Sequence, residues 1–270
     1  MQRVTAGVIG LGEVAQVIHL PILAALADRF AIGAVCDVSP GLLAVIGDRY
    51  AVENRYDDPF ALVQQRDLDA VFVLNSDEYH ADCVIAAARA GKHVLVEKPM
   101  CLTLGEVEAI VQARDAAGVR VMVGYMRRFA PAFMQAVAEV QALETITYAR
   151  IRDIIGRNRL IVDQSSVVHR PADVPAELLR ERAARAERLV REAIGEAPSG
   201  IVGAYRFLLG LNSHDISAMR ELLGVPLGVV SARQWHGGKF LVAVFQYDGY
   251  CAVLETGVDQ QLRGFVQLLV

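Results

Sequence analysis

The chain has 270 residues, of which 54% are hydrophobic and 21% charged, and its formal net charge is −4. This balance is typical of a globular protein and excludes a disordered or fibrous one. Charges of both signs are interspersed without a basic stripe, which argues against nucleic acid or membrane as the main partner and favours a small molecule. No apolar run is long enough to cross a bilayer, and no signal peptide precedes the first strand-like segment, so we expect a cytoplasmic protein.

The four cysteines give no sign of a metal site. Cys36, Cys83, Cys101 and Cys251 are widely separated and form no Cys-x-x-Cys pair. Their spacing fits neither a zinc site nor a disulfide framework. We therefore expect them to be reduced and mostly buried, and we predict no metal.

A strand, a glycine-rich turn and a helix open the chain. Residues 4–9 are apolar, the turn reads Gly-Leu-Gly-Glu-Val-Ala, and apolar residues then recur at helical spacing. In such a turn the first glycine permits the tight bend, the second lets a pyrophosphate approach the backbone, and a small residue lets helix and strand pack closely. The cofactor contacts predicted here are Gly10, Gly12, Glu13, Val14 and Ala15.

The next apolar segment, residues 31–36, ends in Asp37. A carboxylate at this place accepts hydrogen bonds from the hydroxyls of an adenosine ribose and repels a 2′-phosphate, so NAD is favoured over NADP. The alternative is that Asp37 only caps the turn or helix that begins at Ser39.

Further strand and helix units follow. A strand at 70–74 is followed by polar residues that include Asn75 and His80, both of which we expect near the cofactor. The alternative for His80 is a structural role, which is the commoner one for a histidine near a helix start. A helix at 81–90, a strand at 94–96, a helix at 104–117 and a strand at 120–123 complete the pattern. Repeated units of this kind predict a doubly wound parallel sheet.

Glu97, Lys98 and Pro99 directly follow the strand at 94–96. Ligands of open α/β sheets bind outside the carboxyl ends of the strands, which delivers Glu97 and Lys98 to that place. A partly desolvated lysine beside a carboxylate can hold a reacting hydroxyl or carbonyl and take part in proton transfer. The alternative is a surface lysine in a β-turn.

The pattern changes near residue 124, where we place the domain boundary. Residues 1–123 form the predicted dinucleotide-binding domain, and residues 124–270 form an α+β domain. Five strands are predicted in the second domain, at 144–153, 229–235, 240–247, 250–256 and 264–269, with a hairpin signal at Asp248-Gly249. The helix predicted at 175–194 is amphipathic, and we expect its arginines and glutamates to be solvated. The polar loop at 157–170 is interpreted as a surface loop, with a lid as the alternative.

The motifs taken together resemble the Gfo/Idh/MocA family, which includes glucose–fructose oxidoreductase and inositol dehydrogenase. The resemblance is carried by residues 10–15, Asp37, the Ala-Gly-Lys-His run at 90–93 and Glu-Lys-Pro at 97–99. Residues 125–131 and 208–224 also look like that family's connector and histidine-bearing helix. The resemblance implies a Rossmann domain followed by an open mixed sheet, and oxidation or reduction of sugars, cyclitols and related compounds with NAD or NADP.

Carried over by position, Lys98 is the expected catalytic and substrate-binding lysine, and Glu97 and Pro99 shape the nicotinamide pocket. His214 matches the catalytic histidine, which in the family follows an aspartate four residues earlier; here that position is Gly210. Either Lys98 and His214 suffice, or another group replaces the carboxylate, or His214 is merely a packed helix residue. The candidates for replacement are Asp153, Tyr205 and Asn212. The expected substrate contacts are Tyr125, Arg128, Asp153, Tyr205 and Asn212.

The chain also departs from the family at its end. Family members usually continue through more sheet and a closing helix, whereas this sequence ends in an apolar strand-like segment, as a short variant, a truncated product or an incompletely represented chain would. An open strand edge needs cover, so we expect a homodimer or homotetramer through the C-terminal sheet.

The sequence therefore predicts an NAD-dependent oxidoreductase that transfers a hydride between nicotinamide and a secondary alcohol or ketone of a sugar-, cyclitol- or polyol-like substrate. Two alternatives remain open. One is a relative that uses NAD without net redox change to cleave a glycoside, and the other is a non-catalytic dinucleotide-binding sensor.

Overall fold

A computed structural model describes residues 3–156, 162, 164, 166–259 and 265–269 of the chain. The chain divides into two compact units. The first unit contains Met1–Gly124 and Ser165–Ala193, and the second contains Tyr125–Gln164 and Ile194–Val270. The expected boundary near residue 123 lies next to the observed one. Residues 165–193 differ from the expectation, because they pack with the first unit rather than the second.

The first unit is built on a six-stranded sheet whose paired strands are all parallel. Its strands are β1 (Val4–Ile9), β2 (Phe30–Cys36), β3 (Arg55–Tyr56), β4 (Ala70–Val73), β5 (His93–Val96) and β6 (Val121–Val123). Their order is β3-β2-β1-β4-β5-β6, so the winding reverses between β1 and β4. Doubly wound sheets bind ligands at the carboxyl ends of the strands at that point. The predicted doubly wound parallel sheet is confirmed.

Helices bury both faces of this sheet. They are α1 (Leu20–Ala25), α2 (Pro40–Arg49), α3 (Pro59–Val63), α4 (His80–Arg89) and α5 (Leu104–Ala117). Consecutive residues of β1 alternate between two apolar clusters: Val8 packs in one and Ile9 in the other, which is the period of a strand. The short β3 and α3 were not predicted.

Local sequence signals explain the ends of α5. Thr103 and Glu106 form a capping box, in which each side chain accepts a hydrogen bond from the other residue's backbone. The helix stops at Gly118, whose φ of 65° is readily adopted by glycine. This helix has the predicted bounds.

The second unit contains a mixed five-stranded sheet. Its strands are β7 (Tyr148–Ile155), β8 (Gly228–Trp235), β9 (Phe240–Gln246), β10 (Cys251–Val258) and β11 (Phe265–Leu269), in the order β11-β7-β10-β9-β8. The β7 and β10 pair is parallel and the other pairs are antiparallel. The open mixed sheet of the prediction is therefore confirmed. Its helices are α6 (Pro131–Gln141), α8 (Ser199–Phe207) and α9 (Ser213–Leu223).

Helix α7 (Ala176–Ile194) is held within the first unit by charged side chains as well as apolar ones. The Nε–H of Arg185 donates to the carbonyl of Glu78 at 2.7 Å, and its guanidinium pairs with Asp82. Leu189 and Val190 are buried. The face that we expected to be solvated thus holds part of the helix in place.

The remaining sequence expectations concern the loop at 157–170, the last strand, membrane-spanning helices and the cysteines. Parts of the loop at 157–170 lie outside the described residues, as does residue 264 of the last predicted strand. Among the described residues, no helix is long and apolar enough to cross a membrane. The four cysteine thiols are free, and all but Cys251 are buried.

Candidate functional site

The glycine-rich turn of the first unit has two glycines with different roles. Gly10 has a φ of 90°, and a Cβ added there would lie 2.4 Å from the backbone nitrogen of Asn75. Gly10 therefore lets the turn pass directly over the end of β4. Gly12 has no described atom within 4 Å of an added Cβ, and it lines a cavity. The turn is thus open to a ligand at the residue where a pyrophosphate is expected to approach the backbone.

The helix after this turn begins with an unusual segment. Ala15 is fully buried in the apolar core, and Ala15–His19 form a π-helical turn before α1. Short π-helical segments occur often at functional sites. Glu13, a predicted cofactor contact, is exposed and pairs with Arg170, and Val14 is partly buried.

Asp37 lies at the end of β2 and lines the same cavity. Its carboxylate accepts hydrogen bonds from the backbone N–H of Leu11 at 2.7 Å and of Ser39 at 2.9 Å. Burial raises the pKa of the Asp37 carboxyl, although these two donors lower it. Asp37 therefore joins the glycine-rich turn to the start of α2, as a capping residue would. It also lines the cavity, as a ribose-binding residue must.

A second carboxylate, that of Asp173, lies beside Asp37. It accepts from the hydroxyl of Ser39 at 2.6 Å and from the backbone N–H of Gly41 at 2.7 Å. These donors lower the pKa of Asp173, and the Asp173 charge contributes to raising the pKa of Asp37. The N-terminus of α2, which favours an anion, is thus already occupied by a carboxylate of the chain.

The cavity that joins these residues has a volume of about 550 Å³, within the usual range for small-molecule and cofactor sites. Gly10, Gly12, Asp37 and Asn75, all predicted from the sequence, line it. Residues of α7 line it as well. The turn, the acidic residue and the space fit a dinucleotide bound at the carboxyl ends of β1, β2 and β4.

The exit of β5 carries Glu97 and Lys98, and a histidine fixes the carboxylate. The Nε2 of His19 lies 2.8 Å from one oxygen of Glu97, and the other oxygen accepts from the backbone N–H of Lys98 at 3.1 Å. Although burial raises the pKa of Glu97, these hydrogen bonds outweigh it and lower the pKa below its usual value. The peptide bond between Lys98 and Pro99 is cis. Glu97 is therefore an ionised, oriented carboxylate next to the catalytic lysine candidate.

His80 supports two strand ends from inside the protein. It is 1% exposed, and its ring nitrogens lie 2.7 Å from the carbonyl oxygen of Pro99 and 2.9 Å from that of Asn75. Carbonyl oxygens only accept hydrogen bonds, so the ring is the donor in whichever of these contacts is a hydrogen bond. His80 thus connects the exits of β4 and β5, which is the structural role that the sequence left open.

In the second unit, His214 lies at the start of α9 and is 4% exposed. The ring of Tyr125 packs edge-on against its imidazole, with the ring centroids 5.7 Å apart. Leu208–Asn212, just before it, form a π-helical turn. In such a turn the hydrogen bonds run from residue i to i+5, so Gly210 and His214 are not stacked exactly as in an α-helix. A Cβ on Gly210 would meet no described atom within 4 Å.

A buried polar cluster lies near this helix. One guanidinium nitrogen of Arg127 contacts Asp153 at 2.8 Å and Asp215 at 3.0 Å. Asn212 donates to Asp215 and to Thr256, and the Thr256 hydroxyl donates to the carbonyl of Asp153. Asp153 and Asn212, two tentative substrate residues, are 0% exposed and belong to this cluster.

The two carboxylates of the cluster share one positive partner. Burial and the neighbouring Asp153 charge raise the pKa of Asp215 to about 7, against the opposing effect of Arg127. Arg128, the other tentative substrate residue of the connector, pairs with Glu221 and donates to the hydroxyl of Ser217 at 3.2 Å. Tyr205 is partly buried in α8.

Sequence reasoning missed three contributors: His19, Arg127 as distinct from Arg128, and residues 171–185. The partners of His19 and Arg127 are 78 and up to 88 residues away. In the sequence, only the neighbouring Arg128 suggested a role for Arg127. The regularly spaced arginines of α7 did not indicate that this helix lines the cavity.

Comparisons with known proteins agree with this geometry. Residues 4–125 match the model of the Gfo/Idh/MocA oxidoreductase family, described as having an NAD-binding Rossmann fold. The chain is 37% identical to myo-inositol 2-dehydrogenase of Thermotoga maritima over 123 residues, which are 46% of this chain and 36% of that protein. It is 36% identical to inositol 2-dehydrogenase of Paracoccus denitrificans over 160 residues, or 57% and 47% of the two chains. The matched part thus spans less than half the length of either relative.

The likeness to solved structures extends over almost the whole chain. With myo-inositol 2-dehydrogenase from Lactobacillus plantarum the TM-score is 0.74 at 20% identity, covering 99% of this chain and 73% of that one. With a probable dehydrogenase from Thermotoga maritima it is 0.68 at 24% identity, covering 94% and 68%. At these identities the likeness shows the fold alone.

Proposed function

We propose that the chain is an NAD-dependent dehydrogenase of the Gfo/Idh/MocA oxidoreductase family, whose family model, with an NAD-binding Rossmann fold, matches residues 4–125. The proposed substrate is a secondary alcohol, or the corresponding ketone, on a cyclitol or sugar ring. The observation that carries the proposal is the cavity at the carboxyl edge of the sheet, lined by Gly12 and Asp37. The inositol dehydrogenases among the relatives support the cyclitol class.

When bound, the nicotinamide would supply the hydride acceptor or donor. In the proposed roles, the Lys98 ammonium group holds the substrate oxygen, and a ring nitrogen of His214 takes its proton. Glu97, ionised and fixed by His19, keeps a negative charge beside Lys98. Tyr125 packs on the His214 ring and limits its rotation.

The proposed preference for NAD over NADP depends on two carboxylates. Asp37 lies where the ribose hydroxyls of the adenosine are expected. Asp173 takes the hydroxyl of Ser39 and the amide of Gly41, donors that a 2′-phosphate would otherwise use. A phosphate placed there would be repelled by both carboxylates.

The experiment is a substrate screen with inositols and related sugars, followed by substitution of Lys98. We expect net formation of reduced nicotinamide with at least one cyclitol. Lys98→Ala should leave NAD binding within about twofold of wild type and lower turnover by roughly a hundredfold or more. Lys98→Arg, which keeps the charge but changes its geometry, is the matched control for charge alone.

Three outcomes would contradict the proposal. Equal turnover in Lys98→Ala would remove Lys98 from the mechanism. Product formed from a glycoside without net reduction of NAD would indicate the redox-neutral reaction. Tight NAD binding without activity on the panel would indicate a sensor.

We also propose self-association through the sheet of the second unit. Strand β8 forms one edge of that sheet, and Val229 and Val230 on it are 61% and 60% exposed. An apolar edge strand of this kind is normally covered by a partner. Analytical ultracentrifugation tests this proposal: we expect a dimer or tetramer, and a Val230→Glu variant with the mass of a monomer. A monomeric wild-type protein at micromolar concentration would contradict it.

A further inference from the structure

Four large apolar side chains of the first unit are unusually exposed and line one cavity. Val38 is 47% exposed, Phe60 49%, Leu178 41% and Leu179 43%. Isolated exposed apolar residues need no explanation, but a group that converges on one concave site is typical of a binding surface. The first two residues belong to the Rossmann sheet region, and the last two belong to α7.

The apolar group lines the cavity in which an adenosine is expected. The same cavity is lined by Gly12, at the expected pyrophosphate position, and by Asp37, at the expected ribose position. Val38 directly follows Asp37 in the chain. The group attached to that ribose in a dinucleotide is adenine, a flat ring with two apolar faces.

Helix α7 is held firmly enough to serve as a wall. Arg185 binds the carbonyl of Glu78 and the carboxylate of Asp82, and its guanidinium lies 4.8 Å from the ring centroid of Tyr79. Arg182 adds an ion pair to Glu78 at 3.5 Å. A wall that is already in place avoids the entropy cost of ordering it when the ligand binds.

We propose that Leu178 and Leu179 form one wall of the adenine-binding slot, opposite Val38 and Phe60. This inference rests on the proposed function, since it assumes that the cavity holds a dinucleotide. It assigns cofactor contacts to α7, which lies outside residues 4–125 that match the family model. The adenine would then be covered by a segment that the Rossmann motif does not include.

The test is calorimetric titration of the full chain with NAD, ADP-ribose and nicotinamide mononucleotide. In the double variant Leu178→Ser/Leu179→Ser the affinity for NAD and ADP-ribose should fall about tenfold, the effect expected when one face of the ring loses its apolar contact. The affinity for nicotinamide mononucleotide, which has no adenosine, should stay within about twofold of wild type. Val111→Ser is the matched control, because Val111 is an exposed apolar residue of α5 that does not line the cavity.

A second variant keeps the test decisive if the helix variant folds poorly. Phe60→Ser changes the opposite wall and should weaken ADP-ribose binding in the same direction and by a similar factor. Wild-type affinity for ADP-ribose in both variants would overturn the adenine slot while leaving the proposed function intact. A wild-type protein that binds neither NAD nor ADP-ribose would instead overturn the proposed function, and the slot with it.

Discussion

Arg127 and Arg128 are adjacent arginines in the same short turn, yet substitution of each should have a very different effect on stability. Arg127 contacts Asp153 and Asp215, whose side chains are 0% and 5% exposed. Arg128 pairs with Glu221, whose side chain is 31% exposed. Removing one partner of a buried ion pair typically costs about 3–5 kcal/mol, whereas a pair open to solvent contributes about 0–1 kcal/mol. We therefore expect Arg127→Leu to lower the free energy of unfolding by about 3–5 kcal/mol, and Arg128→Leu by at most about 1 kcal/mol.

The decrease in the free energy of unfolding caused by Arg127→Leu should also depend on pH. The folded-state pKa of Asp215, about 7, lies above its ordinary value of 3.8. The folded protein therefore binds more protons than the unfolded chain between these values. The stabilisation linked to this proton is fully present below about pH 4 and is lost as the pH rises through 7. Without Arg127 the pKa of Asp215 should rise further, so the variant should lose more stability at pH 8 than at pH 5.5. Since only one pH unit separates the wild-type pKa of about 7 from pH 8, the extra loss at pH 8 should be at most about 1.4 kcal/mol.

The single tryptophan gives a convenient signal for this experiment. Trp235 lies on β8, in the unit that contains Arg127, so its fluorescence in urea follows the unfolding of that unit. Both variants would be measured at pH 5.5 and pH 8. Equal losses in the two variants, or a loss in Arg127→Leu that is the same at both pH values, would refute the buried-charge reasoning.

Three further predictions concern the cofactor and the histidine helix. Asp173→Ala should raise the affinity for NADP about tenfold by removing a negative charge beside the expected 2′-phosphate, with NAD affinity within twofold; unchanged NADP binding by titration would remove Asp173 from cofactor selection. Gly10→Ala should destabilise the protein in thermal melts because its Cβ meets Asn75, while Gly12→Ala should keep the wild-type melting temperature and lose NAD affinity; the reverse order would contradict the assigned roles. In Gly210→Asp a carboxylate that reaches His214 should favour the protonated imidazole and move the acid limb of the pH–rate profile to higher pH, whereas Gly210→Asn should not. Identical profiles in the two variants would mean that the π-helical turn directs residue 210 away from His214.

Much of the first unit was predictable because its signals are local. The glycine-rich turn, the apolar strands and the helix stop at Gly118 each lie within a few residues, and the cavity residues Gly12, Asp37 and Asn75 follow from where parallel strands end. The sequence did not predict the return of residues 165–193 to this unit. Arg185 and its partner Asp82 are 103 residues apart, and a charged helix face has the same composition whether it meets water or a carboxylate.

The second unit shows a different limit. The spacing of Gly210 and His214 was read on an α-helical period, but Leu208–Asn212 form a π-helical turn, which hydrophobic periodicity does not reveal. The burial of Asp153 and Asn212 likewise depends on Arg127 and Thr256, which reach them from other elements. The hydrogen-bond partners of a short polar residue near a predicted site decide whether it contacts a ligand or stabilises the protein interior, and the sequence does not give those partners.

The backbone of His169 is bound to Gln16 in both directions: the glutamine amide donates to its carbonyl at 3.0 Å and accepts from its N–H at 2.8 Å. These two hydrogen bonds and helix α7 tie residues 166–193 to the first unit, so the residues of that unit are not contiguous in the sequence. A fragment that ends at Gly124 would lack the hydrogen bonds between His169 and Gln16 and the α7 residues that line the cavity. Exchange of this unit with that of another dehydrogenase would accordingly require three junctions, after residues 124, 164 and 193, rather than one.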